Sequence, residues 1–266
     1  MTLKEKLKIL QTDFYEEYKS KLNIDIASFI AKFKKKEITP EDLNFYRSLS
    51  VCYSSKIEGE EMDVDSYMKY RLMNVKYLKK LTVKIDDLLF TYEFAHKNKL
   101  TKSNFSKAHK LLSKHLVPQK DRGKLRTMTM YVMDENNKIV YLAAKNEIVE
   151  EEFNKLFHDI RVLLKAKLSF SQIFYYAAMI HLVFASIHPM ADGNGRSARL
   201  LEKWFLAEKL GENAWNIQSE RNYYQKILLY YKELMYAQNG NYTKLEYKKS
   251  IPFILLLPES LKISID

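Results

Sequence analysis

The sequence predicts a mainly α fold carrying a single β-hairpin. Six glycines and five prolines in 266 residues leave too few turn formers for a sandwich or a barrel. Apolar residues recur at helical spacing, between cap signals, along most of the chain. The spacing switches to that of strands once, over residues 127–142.

Thr2 and Glu5 make a capping box for a helix running to about residue 22. Ile26, Phe29, Ile30 and Phe33 mark the inner face of a second helix. Thr39-Pro40-Glu41-Asp42 is a start signal, with a cap, a first-turn proline and acids. The helix it opens turns Leu43, Tyr46, Leu49 and Tyr53 inward and ends at Ser54-Ser55-Lys56-Ile57-Glu58-Gly59, with Gly59 as a left-handed cap. Glu58 is out of place there, because the negative end of a helix dipole disfavours acids. A nearby cation would repair that.

Residues 65–99 read as one or two helices, with Leu72, Val75, Leu78, Leu88, Leu89 and Tyr92 inward. Residues 105–116 form another, on which His109 is structural. The hairpin follows. Met130, Tyr131 and Val132 lie on one run and Ile139, Val140 and Tyr141 on the other, joined by a longer loop through Asp134, Glu135, Asn136 and Asn137. An isolated hairpin is marginal in water, so it must rest on the helices.

Residues 147–165 are amphipathic through Val149, Phe153, Leu156, Phe157 and Ile160. Ser169 and Gln172 make a further capping box. The helix they open is apolar on most sides and therefore central, with His181 as a satisfied core histidine. A helix from Arg196 to residue 210 turns Leu200, Trp204 and Phe205 inward and is capped by Gly211. Ser219 opens the last clear helix, to about Tyr236, and residues 241–266 carry no readable motif.

Composition narrows the class further. Hydrophobic content of 47%, with 13% aromatics, supports a sizeable core. No run approaches the 18 apolar residues of a membrane span; residues 251–258 are apolar but short. The first residues lack the apolar stretch of a secretory signal. Cys52 is the only cysteine, so no internal disulfide forms, which suits a reducing cytoplasm. The net charge of +11 permits an acidic partner or nucleic acid. Yet the lysines are spread over most helices, with one short run at Lys34-Lys35-Lys36, so a solvated surface is the reading and nucleic acid is not the expected ligand.

Between the last two core helices lies His188-Pro189-Met190-Ala191-Asp192-Gly193-Asn194-Gly195-Arg196-Ser197-Ala198-Arg199. These are residue types that phosphoryl chemistry uses. His188 can act as a base near neutral pH. Asp192 is a hard oxygen ligand for Mg2+ on a nucleotide. Gly193-Asn194-Gly195 lets backbone N–H groups turn inward as an anion cradle, and the next helix adds its N-terminal amides and dipole. Arg196 and Arg199, three apart, share one face of the first turn, and arginine grips phosphate through paired N–H bonds.

The loop resembles the signature of the Fic (Fic/Doc) family, His-Pro-Phe-x-Asp/Glu-Gly-Asn-Gly/Lys-Arg, with Met190 where Phe is usual. The resemblance implies a Fic-type helical bundle with the hairpin as a flap over the active-site loop. It divides the chain into an N-terminal helical region (1–95) whose inhibitory helix spans about 43–59, a catalytic core (96–240) and a tail (241–266). It implies that His188 deprotonates a target hydroxyl, Asp192 holds Mg2+, Gly193, Asn194, Gly195 and Arg196 hold phosphate oxygens, and Arg199 faces the γ-phosphate. Ser54 to Gly59 resembles the family's inhibitory Ser/Thr-x-x-x-Glu-Gly/Asn, which implies that Glu58 pairs with Arg199 in the γ-phosphate's space. The flap would take a target segment as an added strand. Its exit, Tyr141-Leu142-Ala143-Ala144, departs from the usual Tyr-x-Pro-Pro. Tyr223 and Tyr224 match a family pair near the adenine, although aromatics facing the core fit them equally.

The function expected is a cytoplasmic, Mg2+-dependent protein adenylyltransferase (AMPylator). It would move AMP from ATP to a Ser, Thr or Tyr hydroxyl of a protein and be autoinhibited by Glu58. Self-modification and a homodimer are compatible with this. Another donor or removal of AMP keeps the same loop, and a basic nucleic-acid-binding regulator with a vestigial site is the reading from another class.

Overall fold

The computed structural model describes residues 2–35, 37, 39–133 and 136–263, without the side chains of residues 33–35. Helix makes up 69% of it beside one two-stranded sheet, the mainly α class that the scarcity of glycine and proline predicts.

The chain opens with α1 (Leu3–Lys6), α2 (Tyr15–Ser20) and α3 (Ile26–Lys35). The Thr2–Glu5 capping box forms, but the long first helix that it predicts does not. The Asp159 carboxylate accepts hydrogen bonds from the backbone N–H groups of Lys8, Ile9 and Leu10 at 2.8–2.9 Å, which pulls that segment out of helical pairing. On α3, Ile26 and Ile30 are buried; Phe33 and the Lys34–Lys36 run lie outside the described side chains.

Helix α4 (Pro40–Ile57) starts on the Thr39–Asp42 box. It ends with Gly59 at φ +84°, with Glu60 N–H bonded to Ser55 O (3.1 Å) and Gly59 N–H to Lys56 O (3.0 Å). This double bond pattern and left-handed glycine stop a helix abruptly. After α5 (Val64–Met73) and α6 (Lys79–Lys97), Leu88, Leu89 and Tyr92 are buried as expected, but Leu72, Val75 and Leu78 are 45%, 40% and 65% exposed. A left-handed Asn74 ends α5, so no single helix face joins those three.

Beyond α7 (Lys102–Leu112), β1 (Tyr131–Met133) pairs antiparallel with β2 (Ile139–Leu142). The register sets Tyr131 against Leu142, Val132 against Tyr141 and Met133 against Ile139, with an irregularity between Val132 and Met133. Met130, expected in the strand, precedes it and accepts from Ala143 N–H at 3.1 Å. Asp134 and Glu135 of the expected loop lie outside the described residues.

Helix α8 (Asn146–Lys165) leads into α9 (Phe170–Ile187), which packs against α10 (Asn194–Leu210) more extensively than any other pair of elements. Contrary to the sequence reading, α9 is long and apolar enough to cross a membrane; with 83% of it buried among the other helices, it serves as the core axis. The helix expected from Ser219 to Tyr236 is two, α11 (Ser219–Gln225) and α12 (Ile227–Gln238), because Lys226 leaves the helical region at φ −113°, ψ 33°. The tail supplies α13 (Ile251–Glu259), whose Ile251, Phe253, Ile254, Leu256 and Leu257 join the core against α9. One apolar cluster runs from Ile9 to Leu261. The loop between α9 and α10 therefore emerges from the most tightly packed part of the molecule.

Candidate active site

His188 terminates α9 in the left-handed region (φ 52°, ψ 57°). Its Nδ1 lies 3.3 Å from Ala185 O. A carbonyl only accepts, so Nδ1 carries the proton and Nε2 keeps a free lone pair. Burial pushes the His188 pKa below its ordinary 6.5 and the Arg126 charge adds to this, against the Ala185 hydrogen bond and the pull of Glu58 and Asp192. The imidazole is thereby held as a neutral base at physiological pH.

Met190 is 1% exposed and pairs with Leu125 as an antiparallel bridge, so the Phe-to-Met departure still fills an anchoring core position. Asn194 does not behave as expected of a phosphate-binding side chain. Its Oδ1 accepts from Met190 N–H (2.9 Å) and its Nδ2 donates to Met190 O (2.8 Å). It staples the loop instead, leaving its backbone N–H at the start of α10. Gly193 sits at φ +75°, and a Cβ there would lie 2.9 Å from Leu112 Cδ2. His109 is structural: Nδ1 accepts from Gly123 N–H (3.0 Å) and Nε2 faces Asp192 O (3.0 Å). Burial pushes its pKa down to about 4.

Asp192 is exposed, with Oδ1 accepting from Gly193 N–H at 2.6 Å. Among the described residues, no group of three or more His, Cys, Asp or Glu side chains gathers around it. One accessible carboxylate fits Mg2+, which favours one or two carboxylates plus phosphate oxygens and water over an all-protein cage.

The two arginines are already occupied. Arg199, fully buried, donates from Nη2 to Glu58 Oε1 at 2.7 Å and to Ser54 O at 2.9 Å, and from Nε to Ser54 Oγ at 2.9 Å. The cation that the odd placement of Glu58 demands is thus Arg199, 141 residues away in sequence. Burial opposes the Glu58 charge, but Arg199 and then Arg196 outweigh it and hold its carboxyl below the ordinary 4.5. A Cβ built on Gly195 would overlap Glu58 Oε1, so the carboxylate sits directly over the α10 N-terminus.

Arg196 is paired as well, through Nη2 to Glu60 Oε1 at 2.7 Å, and Lys84 of α6 reaches the same oxygen at 3.1 Å. The Nε of Arg196 is buried and, among the described residues, has no hydrogen-bond partner. Glu60 was not singled out by sequence reasoning; its signal was a second acid two residues beyond the first.

Arg126 was also missed. It is 5% exposed and donates to the carbonyls of His188 (2.7 Å), Met128, Ala144 and Ile187 (3.3 Å). It thereby ties His188 to both ends of the hairpin. A lone arginine in a loop carries no sequence signal for this.

The flap divides by face. Tyr131, Val132 and Ile139 are exposed and Val140 is half-buried. Tyr141 is 1% exposed and donates to Ser186 O at 2.7 Å, so it anchors the flap and cannot face a target. The outer side of β2 is engaged where Leu142 N–H bonds Gly240 O (3.0 Å). Among the described residues the outer edge of β1 pairs with no strand. Tyr223 is likewise a core residue, fully buried with its O–H on Glu202 Oε2 at 2.7 Å, and Tyr224 packs on Tyr53 at 5.5 Å. Tyr223 therefore faces the core and has no face left for an adenine, whereas Tyr224 is half-buried. A cavity of about 920 Å³ is lined by Lys99, Lys102, Phe157 and Arg161 among others, and by no residue of the His188–Arg199 loop.

Residues 99–206, which include α7 to most of α10 and the whole loop, match the Fic/DOC family. The chain is similar in structure to a Fic family protein from Desulfovibrio desulfuricans G20 (TM-score 0.75, 18% identity, 97% of this chain and 76% of that one). It is also similar to a Fic domain containing signaling protein from Bacteroides thetaiotaomicron VPI-5482 (0.66, 18%, 90% and 95%) and to Fic-1 from C. elegans (0.68, 15%, 94% and 70%). At these identities the likeness speaks for the fold. No curated protein matched the chain. The loop from His188 to Arg199 therefore lies within the stretch that matches the Fic/DOC family, in a helical fold similar to that of solved Fic proteins.

Proposed function

We propose that the chain is a protein adenylyltransferase that transfers AMP from Mg-ATP to a hydroxyl side chain of a target protein, and that Glu58 holds it off. The observation that carries this reading is Glu58 Oε1 lying on Arg199 and over Gly195 at the positive end of α10, where a nucleotide phosphate would otherwise be gripped.

In the reaction, the target hydroxyl oxygen attacks the α-phosphorus of ATP. That P–O bond forms as the bond to the β-phosphate oxygen breaks, pyrophosphate leaves, and the hydroxyl proton passes to His188 Nε2. Proton transfer of this kind contributes roughly 100- to 10,000-fold. The amide at Gly195, the α10 dipole, Arg196 and Arg199 stabilise the charge on the phosphates, the main task in such transfers, while the Gly193 N–H is held by Asp192 Oδ1. Asp192 would hold Mg2+, which neutralises phosphate charge when bound. The target would approach along the free edge of β1, whose backbone accepts almost any sequence as an added strand. The proposed setting is the cytoplasm, and self-modification falls within the proposal.

The test is labelling with Mg-ATP followed by intact-mass measurement. Glu58→Gly should add AMP to itself or to a lysate protein, and Glu58→Gly with His188→Ala should not. Equal labelling with and without Glu58 would remove the regulatory claim. A UMP, phosphocholine or phosphate mass from the matching donor would transfer the reading to that donor.

A further inference from the structure

Among the described residues, the Arg199 guanidinium has one hydrogen-bond partner outside the inhibitory turn. Three of its four hydrogen bonds go to Ser54 and Glu58, on the last turn of α4. The fourth runs from Nη1 to the Tyr230 hydroxyl on α12 at 3.3 Å. If the α4 turn withdraws to admit a phosphate, Arg199 loses Ser54 and Glu58 together, and Tyr230 alone remains.

Tyr230 is well placed for that task. Its oxygen lies 3.0 Å from His181 Nε2, and His181 Nδ1 lies 2.8 Å from Glu202 Oε2. The donor order follows from the chemistry. Arginine only donates, so the Tyr230 oxygen accepts from it and, with a neutral imidazole beside it, its O–H donates a hydrogen bond to His181 Nε2. His181 is then protonated at Nδ1 and donates to Glu202. A chain ending on a carboxylate polarises each bond before it, which makes the Tyr230 oxygen a better acceptor. Burial raises the Tyr230 pKa, which keeps the group a neutral phenol. The ring is fixed by Tyr223 at 4.9 Å and Phe253 at 5.8 Å. The supporting residues sit on α9, α10, α11 and α13, none of which carries the inhibitory turn.

We propose that Tyr230 is a positioning residue that keeps Arg199 aimed at the nucleotide's terminal phosphate after the Glu58 turn has moved away, with His181 and Glu202 setting the direction of its hydroxyl. The proposal rests on the reading of Arg199 as a phosphate ligand. It also gives His181, which the sequence reading left without a catalytic role, a purpose beyond packing.

The experiment measures the affinities of Mg-ATP and Mg-ADP for Glu58→Gly, for Glu58→Gly with Tyr230→Phe, and for Glu58→Gly with Tyr223→Phe. Tyr230→Phe keeps the ring and removes only the hydroxyl. It should weaken ATP about tenfold, the worth of a hydrogen bond to a charged group, and change ADP less than about twofold. Tyr223→Phe removes a buried phenol–carboxylate bond from the same network without touching Arg199, so its ATP-to-ADP ratio should stay put. A general loosening of the core would move both variants alike and would overturn the proposal. So would an unchanged ratio in the Tyr230 variant when Glu58→Gly itself binds ATP. Failure of Glu58→Gly to bind ATP at all would overturn the phosphate-site reading and this proposal with it.

Discussion

Replacing Glu58 with glutamine keeps the side chain's size and removes its charge. Arg199 then stays buried with Ser54 and Tyr230 as partners but without a counter-charge. Breaking a buried pair costs about 3–5 kcal/mol. Glu58 is 27% exposed while Arg199 is 1% exposed, and Arg199 keeps its other bonds, so about 2–3 kcal/mol is the reasonable loss. In the proposed autoinhibited enzyme the same energy closes the phosphate site. A site that is open only a fraction of the time binds ligand more weakly by that fraction, so the substitution should tighten ATP binding roughly 30- to 150-fold. It should also lower the melting temperature by roughly 4–12 °C. Calorimetric titration with Mg-ATP and a thermal melt supply both numbers. Opposite signs are the test: a less stable protein that binds ATP more tightly. Tightening of less than threefold, or a raised melting temperature, would refute the argument. The folded Glu58 carboxyl is held below 4.5, so the wild-type stability advantage over Glu58→Gln is present above pH 4.5 and disappears as pH falls through the lower folded value.

Three further outcomes follow from the same geometry. With burial holding the His188 pKa below 6.5, the acid limb of AMP transfer by Glu58→Gly should have its midpoint below pH 6.5, and lower still for loss of the Glu58 charge; a pH–rate profile with its limb at 6.5 or above would contradict this. Gly193→Ala meets both a left-handed φ and Leu112, whereas Gly59→Ala meets strain alone in open space, so the first should cost about 2–3 kcal/mol and the second about 1 kcal/mol in denaturant melts. Arg126→Leu leaves the carbonyls of His188, Met128 and Ala144 without their donor, so it should cost about 3 kcal/mol and make the hairpin the first site of limited proteolysis.

Much of the fold was legible because its signals are local. The Thr39–Asp42 and Ser169–Gln172 boxes form as the sequence predicts, since a cap is decided within four residues. The Gly59 cap and the Gly-Asn-Gly loop were legible for the same reason. The failures have a common origin. The N-terminal helix breaks because Asp159, about 150 residues on, takes its N–H groups. Tyr223 turns inward because Glu202 and His181 wait there. Tyr141 serves as an anchor because Ser186 O lies beneath it. In each case a distant partner overrides what neighbours in sequence would allow.

The sequence by itself determined which chemistry the protein can carry: a histidine, an acid and two arginines around glycines at a helix start, with a glutamate stranded at the wrong end of another helix. Only the tertiary structure decided how those groups are used. It put Glu58 on Arg199 and Glu60 on Arg196, turned Asn194 into a staple, and recruited Arg126 and Tyr230. Hydrogen bonds between residues 141 and 145 positions apart leave no periodic trace in a chain; they exist because a shared apolar core brings the helix ends together, and the cost of burying charge makes each find a partner.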